Sequence, residues 1–492
     1  MSNKVIVTLP NGVMAEEAEY KEQFIDEYNS NPFIQVLPTI ISKEDIIKGL
    51  SRNIKISNKE IESHEYIRRH LLQRIYKIFQ PLPIHLKVWN MIDTLIKQGY
   101  VDRNPFNPIY KRHINTLGNN LINKEFSMHV NSNFTTTASC ASIIGFSGMG
   151  KTTIVNKALE NIPQIICHHT YNKEDFNNIQ VSWIKLEAPH NSSLKALTLQ
   201  FFMKVDELIG TENMKRYAVK NLSVDAMLPI LGQLANSINL GLLVIDELQH
   251  LNKNTSQVMN YLVCLMNIFS IPICLIGTPA CYDMLTSEMR IARRVTGGCE
   301  IIWNNMQNDK EFRLFMKGIW KYQYLRNPSK LDEDMINLFY EKTQGISDLV
   351  IKLFINTQRV AIERNVEKIT KELVEKVWDK EFKLLQPMIS SIHSKNKSKM
   401  FKYEDIRILE NDDIIKNKKE ANLKVIRKEE IEINEKTQKN NKKKIKISEL
   451  EDEDVRKFII EGIKLGKSNY ESLLGAGMIV SIDKLLGDEE AL

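Results

Sequence analysis

A glycine-rich segment that ends in a lysine and two threonines is the part of the sequence best suited to chemistry. Residues 145–153 read GFSGMGKTT, which fits the pattern G-x-x-x-x-G-K-S/T. Glycines let a backbone turn and approach a ligand closely, so that several N–H groups can contact the oxygens of a triphosphate. The helix that follows adds the positive end of its dipole. The residues expected to contact the nucleotide are Gly145, Ser147, Gly148, Met149, Gly150, Lys151, Thr152 and Thr153.

The side chains that follow the last glycine have distinct expected roles. Lys151 is placed to reach the β- and γ-phosphates, and the Thr152 hydroxyl is placed to bind Mg²⁺. The apolar run Cys140–Ile144 is typical of a strand, and Thr153–Leu159 is typical of a helix. Because strand, glycine loop and helix come in the order that this motif needs, ATP and Mg²⁺ are the predicted ligands.

A second segment, residues 241–247, reads GLLVIDE and combines a buried strand with two acids. Asp246 is predicted to hold Mg²⁺ through its water shell, and Glu247 to polarise the attacking water. The alternative is that the two acids only cap the start of a helix. The glycine loop upstream favours the catalytic interpretation.

An acid directly after the Mg²⁺ carboxylate is typical of additional-strand ATPases rather than of small GTPases or simple kinases. Such proteins have a further strand between the two motifs in space, and the apolar run at residues 271–279 is the candidate for it. Thr278 lies at the tip of that run and is predicted to help place the attacking water. Its hydroxyl could instead cap the turn from strand to helix.

Residues 331–385 have helical spacing and polar joints, as expected for a helical lid after the core. Such lids often carry an arginine that touches the γ-phosphate, but Asp348 lies near that place here. We therefore predict an α/β fold with an AAA+ additional-strand P-loop ATPase core, a parallel sheet, an N-terminal helical extension, a helical lid and a flexible C-terminal tail.

Five further residues are candidates for nucleotide contacts. Tyr100 and Arg103 lie just upstream of the loop and are candidates for stacking on the purine, with ordinary packing as the alternative. Arg290 shares a helix face with Arg293 and Arg294, three and four residues later. One of these three arginines is a candidate for neutralising the γ-phosphate of a neighbouring subunit. The alternatives are a solvated basic face or a DNA contact.

The composition changes along the chain and suggests six regions. Residues 31–38 form an apolar island between two prolines, which either docks on its own domain or serves as a handle for a partner. Residues 391–450 are dominated by Lys and Asn and are predicted to be a charged linker. The predicted regions are an N-terminal partner-docking arm (1–60), an N-terminal helical extension (61–137), the AAA+ ATPase core (138–325), the helical lid (326–390), the charged linker (391–450) and a C-terminal partner-binding tail (451–492).

The overall composition is that of a globular intracellular protein. The 492 residues are 43% hydrophobic and carry a formal net charge of +6, which permits a nucleic-acid partner. No apolar stretch approaches the length of a membrane span, and the first 20 residues do not form a signal peptide. The six cysteines include no CxxC pair, which favours reduced thiols. We expect a cytoplasmic protein that does not bind a membrane.

Several strings in and around the nucleotide motifs resemble TnsC, the TniB-related AAA+ regulator of Tns-type heteromeric transposons. The resemblance runs from about residue 31 to residue 387, with a further patch at the C-terminus. The strings that carry it are Asn31–Ile34 with Leu37–Pro38; Phe79–Leu82 with His85–Leu86; Gly99–Val101 with Arg103–Pro105; His190-Asn191 with Ser193–Lys195; Gly241–Leu251; Leu275–Pro279; Arg290 with Ala292–Arg294; and Gln344-Gly345 with Lys352–Phe354. The region 391–450 does not match the family well.

The resemblance implies an ATP-binding protein that assembles as a ring or helical homo-oligomer around double-stranded DNA. Proteins of this family connect a TnsD/TniQ-type target selector to a TnsB-type transposase and a TnsA-type endonuclease. Gly477–Val480 with Asp483 match the C-terminal segment that engages TnsA, and residues 31–38 are expected to face the target selector. The insertion that contacts DNA in this family corresponds to Lys215, Arg216 and Lys220, with Lys195 as a weaker candidate. Solvated surface lysines are the alternative.

Three functions follow from these observations. The first is an ATP-switched, DNA-bound regulator of transposition, in which ATP holds the oligomer on target DNA and hydrolysis dismantles it. The second is a helicase loader or replication initiator of related build, although no winged-helix pattern follows the lid. The third is a scaffold ATPase that does not bind DNA.

Overall fold

A computed structural model describes residues 5–122, 136, 138–218, 222–287 and 300–394, together with short stretches between residues 459 and 476. The chain divides into two units, residues 1–415 and 416–492. Only short helical stretches of the second unit are described. No helix in the described part of the chain is both long and apolar enough to cross a membrane.

A five-stranded parallel sheet forms the centre of the first unit, and a second sheet of four strands includes the two N-terminal strands. The described strands are β1 (Ile6–Thr8), β2 (Met14–Glu17), β3 (Cys140–Gly145), β4 (Ile165–Tyr171), β5 (Glu174–Val181), β6 (Trp183–Glu187), β7 (Leu242–Asp246), β8 (Ile273–Gly277) and β9 (Glu300–Trp303). The central sheet has the order β6-β7-β8-β3-β9, and the second sheet has the order β1-β2-β4-β5. The residues of β3, β7 and β8 are all buried, as their continuous apolar sequences predict for strands covered on both faces.

The order of the central strands confirms the predicted additional-strand core. The strand β8 lies between β3 and β7 and pairs in parallel with both. Because these three strands are parallel, their carboxyl ends meet at one edge of the sheet. The glycine loop after β3, the acids after β7 and the threonine after β8 therefore lie close together.

Helices cover both faces of the central sheet and form the N-terminal extension and the lid. The described helices are α1 (Pro32–Gln35), α2 (Lys43–Leu50), α3 (Asn58–Glu62), α4 (Glu65–Leu72), α5 (Pro83–Val101), α6 (Pro108–Ile122), α7 (Lys151–Leu159), α8 (Leu194–Ile209), α9 (Asn213–Ala218), α10 (Val224–Ser237), α11 (Thr255–Asn267), α12 (Tyr282–Ser287), α13 (Lys310–Trp320), α14 (Glu333–Thr343), α15 (Ser347–Glu363), α16 (Lys371–Glu381) and α17 (Gln386–His393). Many of them begin at a side-chain cap: Ser193, for example, accepts a hydrogen bond from the backbone of Ala196 at the start of α8.

The apolar island at residues 31–38 is part of the core, which agrees with the first of its two predicted alternatives, docking on its own domain. Phe33 and Ile34 are 1% and 0% exposed, and Leu37 is also buried. The Nδ2 of Asn31 donates to the carbonyl of Tyr100. The Oδ1 of the same amide accepts from the Phe33 N–H and so caps α1. Burial of these apolar side chains against their own domain is favourable in free energy.

The lid consists of α14 to α17 and contacts the N-terminal extension. Arg68 of α4 forms a buried, two-pronged ion pair with Glu367, which lies between α15 and α16. The helix α17 ends at His393, so the predicted boundary at residue 390 falls inside a helix. Residues 395–458 lie outside the described part of the chain, as does nearly all of the predicted tail.

Candidate nucleotide-binding site

The glycine loop has the backbone geometry that the sequence motif requires. Gly148 and Gly150 have φ angles of 80° and 93°, in the left-handed region that favours glycine. A Cβ on Gly145 would lie 2.1 Å from the carbonyl oxygen of Trp303, so this position also excludes a side chain. The helix α7 begins at Lys151, and its free N-terminal amides follow the loop directly.

The ammonium group of Lys151 lies inside the loop. The side chain is buried, and its Nζ donates to the carbonyl oxygens of Gly145 and Phe146, both at 2.8 Å. These carbonyls hold the charge at the place where the loop curves. A positive charge held in this way can neutralise phosphate oxygens that enter the loop.

A carboxylate, a hydroxyl and a second ammonium meet at the end of β7. The Thr152 hydroxyl donates to Asp246 Oδ2 at 2.9 Å, and Lys185 Nζ lies 3.0 Å from the same oxygen. Lys185 also donates to Asn156 Oδ1 at 2.9 Å. Asp246 is buried, and a cation already lies against its carboxylate. Oxygen ligands with one negative charge fit Mg²⁺, so Thr152 and Asp246 would hold the ion.

Glu247 has a left-handed backbone, with φ 55° and ψ 40°. Its N–H donates to Asp246 Oδ1 at 2.9 Å. Its Oε2 accepts a hydrogen bond from Gln249 Nε2 at 2.5 Å. The carboxylate is therefore positioned by a neighbour that sequence reasoning did not single out.

Thr278 follows β8 and completes the arrangement. The residue is buried, and its N–H donates to Gln249 Oε1 at 3.1 Å. Its Oγ1 is buried and has no hydrogen-bond partner among the described residues. A buried hydroxyl of this kind favours a ligand or water that completes its hydrogen bonding. Burial raises the pKa of the Cys281 thiol to about 12, so this neutral group donates to the Thr278 carbonyl.

The predicted residues share one cavity of about 210 Å³. The residues that line it are Ser147, Gly148, Gly150, Lys151, Thr152, Thr153, Asp246, Glu247, Gly277 and Thr278. Gly145 and Met149 do not line it: the Gly145 carbonyl accepts a hydrogen bond from Lys151, and Met149 is buried in the core. A larger cavity of about 550 Å³ lies beside the N-terminal strands, but Glu16, Glu17 and Glu19 line it and would repel phosphate.

The lid contacts the glycine loop directly. The backbone N–H of Asp348 donates to the Gly148 carbonyl at 3.0 Å, and the Ser347 hydroxyl donates to the same oxygen at 2.9 Å. The Asp348 carboxylate pairs with Lys352 at 2.6 Å, one turn later on α15. A cation therefore lies near the loop, although Asp348 stands near the place expected for an arginine.

Tyr100 and Arg103 do not line the nucleotide cavity, so the structure favours the alternative of ordinary packing over stacking on the purine. Both are 1% exposed. The Tyr100 hydroxyl donates to the Asn239 carbonyl, and Arg103 donates to the carbonyls of Gly99 and Leu240. These partners precede β7, whereas the cavity lies at its carboxyl end. Both side chains are therefore buried near the amino end of β7, at the opposite edge of the sheet from the cavity.

The remaining candidates lie on the surface or outside the described residues. Lys215 and Arg216 are exposed side chains of α9, and Lys195 is half-buried in the first turn of α8. Lys220 and the three candidate arginines, Arg290, Arg293 and Arg294, lie outside the described part of the chain.

Comparison with known proteins agrees with this geometry. Residues 135–285 match the family model for the AAA domain, and this segment includes the glycine loop, the acids after β7 and Thr278. The chain contains an AAA domain. Its parallel five-stranded sheet with flanking helices is the AAA+ P-loop fold.

The solved structures to which the chain is similar share little sequence with it. The structure of Drosophila ORC bound to DNA is 12% identical over 58% of this chain and 64% of that chain, with a TM-score of 0.32. The Aeropyrum pernix ORC1 protein in complex with DNA is 15% identical over 54% of this chain and 63% of that chain, with a TM-score of 0.33. A Walker-type ATPase of Pyrococcus abyssi is 12% identical over 60% of this chain and 77% of that chain, with a TM-score of 0.33. The chain thus spans less than two thirds of the first two proteins, and a search of curated protein sequences found no match.

Proposed function

We propose that this chain is an ATP-dependent, DNA-binding regulator of transposition. It would oligomerise on target DNA, link a target-selection protein to the transposase and activate it, and ATP hydrolysis would drive disassembly. The observation that carries the ATPase part is the single cavity that brings Lys151, Asp246 and Glu247 together. The transposition part rests on the sequence strings that resemble TnsC.

The side chains of the cavity suit hydrolysis of a nucleoside triphosphate. Lys151 neutralises charge on the phosphates, and Mg²⁺ held by Thr152 and Asp246 would neutralise more of it. Glu247 would accept a proton from the attacking water, because this acid is one of the residues that line the cavity. The unpartnered hydroxyl of Thr278 donates to or accepts from that water.

The cavity also favours catalysis between subunits. Among the described residues, the only basic side chain that lines it is Lys151. An arginine from a neighbouring copy would add the second positive charge that phosphoryl transfer needs. Arg290, Arg293 and Arg294 remain the candidates for this arginine, and the homo-oligomer is the assembly that would bring it in.

The charge on α9 supports a DNA contact. The side chain of Lys215 is 80% exposed and pairs with Glu212, which is 69% exposed. An ion pair this exposed contributes little free energy, so Lys215 can exchange Glu212 for a DNA phosphate at small cost. Arg216 is exposed beside it. The proposed partners beyond DNA are a TnsD/TniQ-type selector, a TnsB-type transposase and a TnsA-type endonuclease that binds the C-terminal tail.

DNA binding with and without ATP tests the proposal. We expect Lys151→Ala to lose ATP binding and ATP-dependent DNA binding together, while Lys383→Ala, on the exposed surface of the lid, keeps both. Glu247→Gln is expected to keep both binding steps, to lose most turnover and to form longer-lived oligomers on DNA. Nucleotide-dependent DNA binding by Lys151→Ala, or faster disassembly of Glu247→Gln, would contradict the proposed switch.

A salt titration separates phosphate contacts from a scaffold that does not bind DNA. We expect the logarithm of DNA affinity to fall linearly with the logarithm of salt concentration. The double variant Lys215→Ala with Arg216→Ala should lower that slope by roughly 1 to 2. Absence of DNA binding at low salt would favour the scaffold instead. Recovery of a transposase with the protein would separate the proposal from a helicase loader.

A further inference from the structure

One side chain joins the two catalytic elements of the site without lining the cavity. Gln249 donates through Nε2 to Glu247 Oε2 at 2.5 Å and accepts through Oε1 from the Thr278 N–H at 3.1 Å. Glu247 follows β7 and Thr278 follows β8, and both line the cavity, whereas Gln249 does not. A single amide therefore spans the two strand ends at which hydrolysis is proposed to occur.

The amide side chain of Gln249 makes both of these hydrogen bonds in a neutral form, because it carries a donor and an acceptor. Glu247 offers a carboxylate oxygen, which needs a donor, and Thr278 offers an N–H, which needs an acceptor. A glutamate at position 249 would supply only acceptors and would place two carboxylates against each other. An apolar side chain of the same length would supply neither group.

The backbone explains why Glu247 needs a partner of this kind. Its left-handed conformation, with φ 55°, ends the extended backbone of β7 at this residue. Its N–H bond to Asp246 fixes the backbone but leaves the carboxylate to be oriented by contacts of its own. Gln249 takes Oε2, and the other oxygen of the carboxylate remains to accept a proton from water.

The close packing around Gln249 makes this arrangement rigid. A Cβ on Gly277 would lie 3.3 Å from Gln249 Oε1 and 3.3 Å from the Cβ of Leu248, so the backbone of β8 passes directly over the amide. Leu248, the residue before Gln249, is fully buried. Movement of the tip of β8 therefore displaces Gln249 and, through it, the carboxylate of Glu247.

We propose that Gln249 is a positioning residue for hydrolysis, which holds the Glu247 carboxylate and couples it to the strand tip that carries Thr278. This inference rests on the proposed ATPase function and names a residue that the function does not itself require. A positioning role differs from an inhibitory role of Gln249 toward Glu247. If Gln249 inhibited Glu247, loss of its amide would raise the rate of hydrolysis.

Steady-state ATP hydrolysis and nucleotide binding by Gln249 variants test this role. Gln249→Glu keeps the size of the side chain and removes the donor, and Gln249→Met keeps the length and removes both bonds. We expect each variant to lower kcat by roughly 10- to 100-fold, since small displacements of a catalytic group have effects of this size. The Kd for ATP should change by less than about twofold, because Gln249 does not touch the cavity.

Two controls separate positioning from general damage. Gln257→Glu makes the same chemical change on the exposed face of α11 and should leave kcat unchanged. In a Glu247→Gln background, Gln249→Met should lower kcat no further, because the group that it positions has already been removed. The melting temperature of each variant shows whether it folds. If the added charge prevents Gln249→Glu from folding, the test relies on Gln249→Met alone.

The outcomes are distinct. Wild-type or raised kcat in both Gln249 variants would overturn the positioning role. A raised Kd for ATP with unchanged kcat would also overturn it, because it would show a purely structural effect. If the wild-type protein hydrolyses no ATP, the proposed function fails and the inference falls with it, whereas normal wild-type hydrolysis with unaffected variants refutes the inference alone.

Discussion

The buried ion pair between Arg68 and Glu367 gives a prediction whose size follows from the structure. The guanidinium donates through two nitrogens to the two carboxylate oxygens, at 2.8 and 2.6 Å. The two side chains are 2% and 8% exposed. Glu367→Gln removes the negative charge and leaves the Arg68 guanidinium buried opposite a neutral amide.

The expected cost is large for a single substitution. Breaking a buried pair by removing one partner costs about 3–5 kcal/mol. Gln keeps one acceptor oxygen, so we expect about 3 kcal/mol for Glu367→Gln, toward the lower end of that range. The double variant Arg68→Met with Glu367→Leu should recover most of this loss, because it leaves no unpaired charge. A matched control is Glu381→Gln, which breaks a half-exposed pair with Arg359 and should cost less than about 1 kcal/mol.

The dependence on pH follows from the same pair. Burial raises the pKa of Glu367, but hydrogen bonds from Arg68 and from the Arg326 backbone outweigh it, so the folded pKa lies below the ordinary value. The pair therefore contributes its full stability above the ordinary glutamate pKa and loses it as the pH falls through the lowered folded value. Glu367→Gln should remove this part of the acid dependence.

Urea unfolding followed by tryptophan fluorescence measures the loss. Trp320 precedes the lid helices and packs on Phe354 of α15, and Trp378 lies on α16, so both report on this region. A loss below about 1 kcal/mol for Glu367→Gln, or equal losses for Glu367→Gln and Glu381→Gln, would refute the reasoning. Failure of the double variant to recover stability would show that packing, rather than the unpaired charge, sets the cost.

Three further predictions concern the site. Lys185→Met removes the ammonium that lies 3.0 Å from Asp246. In calorimetry, Mg²⁺ should then bind the nucleotide-free protein about 10-fold more tightly. An unchanged affinity would show that Lys185 does not compete with Mg²⁺ for the Asp246 carboxylate. Thr278→Val removes a buried, unpartnered hydroxyl; the free energy of unfolding should stay the same or rise by about 1 kcal/mol while kcat falls, and an unchanged kcat would remove Thr278 from the mechanism. Gly148→Ala adds a Cβ 3.2 Å from the side chains of Asp348 and Ile346 at φ 80°; ATP binding should weaken. The control Gly12→Ala, at φ 84° with open space around it, should cost only about 1–2 kcal/mol of backbone strain in urea unfolding. Equal ATP affinity in Gly148→Ala and wild type would show that the lid contact is unimportant.

The phosphate loop and the acids of β7 could be predicted because their geometry is local. The glycines at 148 and 150, the lysine that follows and the apolar strand before Asp246 each specify their own backbone. The position of β8 could be predicted only because Glu247 follows Asp246, which is typical of additional-strand ATPases. The order of the strands confirms this position.

The errors and omissions came from contacts between segments that are distant in the sequence. Tyr100 lies 139 residues from the carbonyl that it contacts, and nothing in the local pattern distinguishes packing there from a purine contact. The two alternatives for the apolar island at residues 31–38 likewise stayed open, because its partners follow much later in the chain. Gln249 was the one omission that a local signal could have found, because it lies two residues after Glu247.

Binding of Mg²⁺ and ATP to the cavity is the central claim, and an equilibrium titration with a slowly hydrolysed ATP analogue tests it most directly. We expect the wild-type chain and Glu247→Gln to bind one nucleotide per chain with similar affinity, and we expect Lys151→Ala to lose binding. Equal binding by Lys151→Ala and the wild type would contradict the assignment, because the nucleotide would then lie outside this cavity.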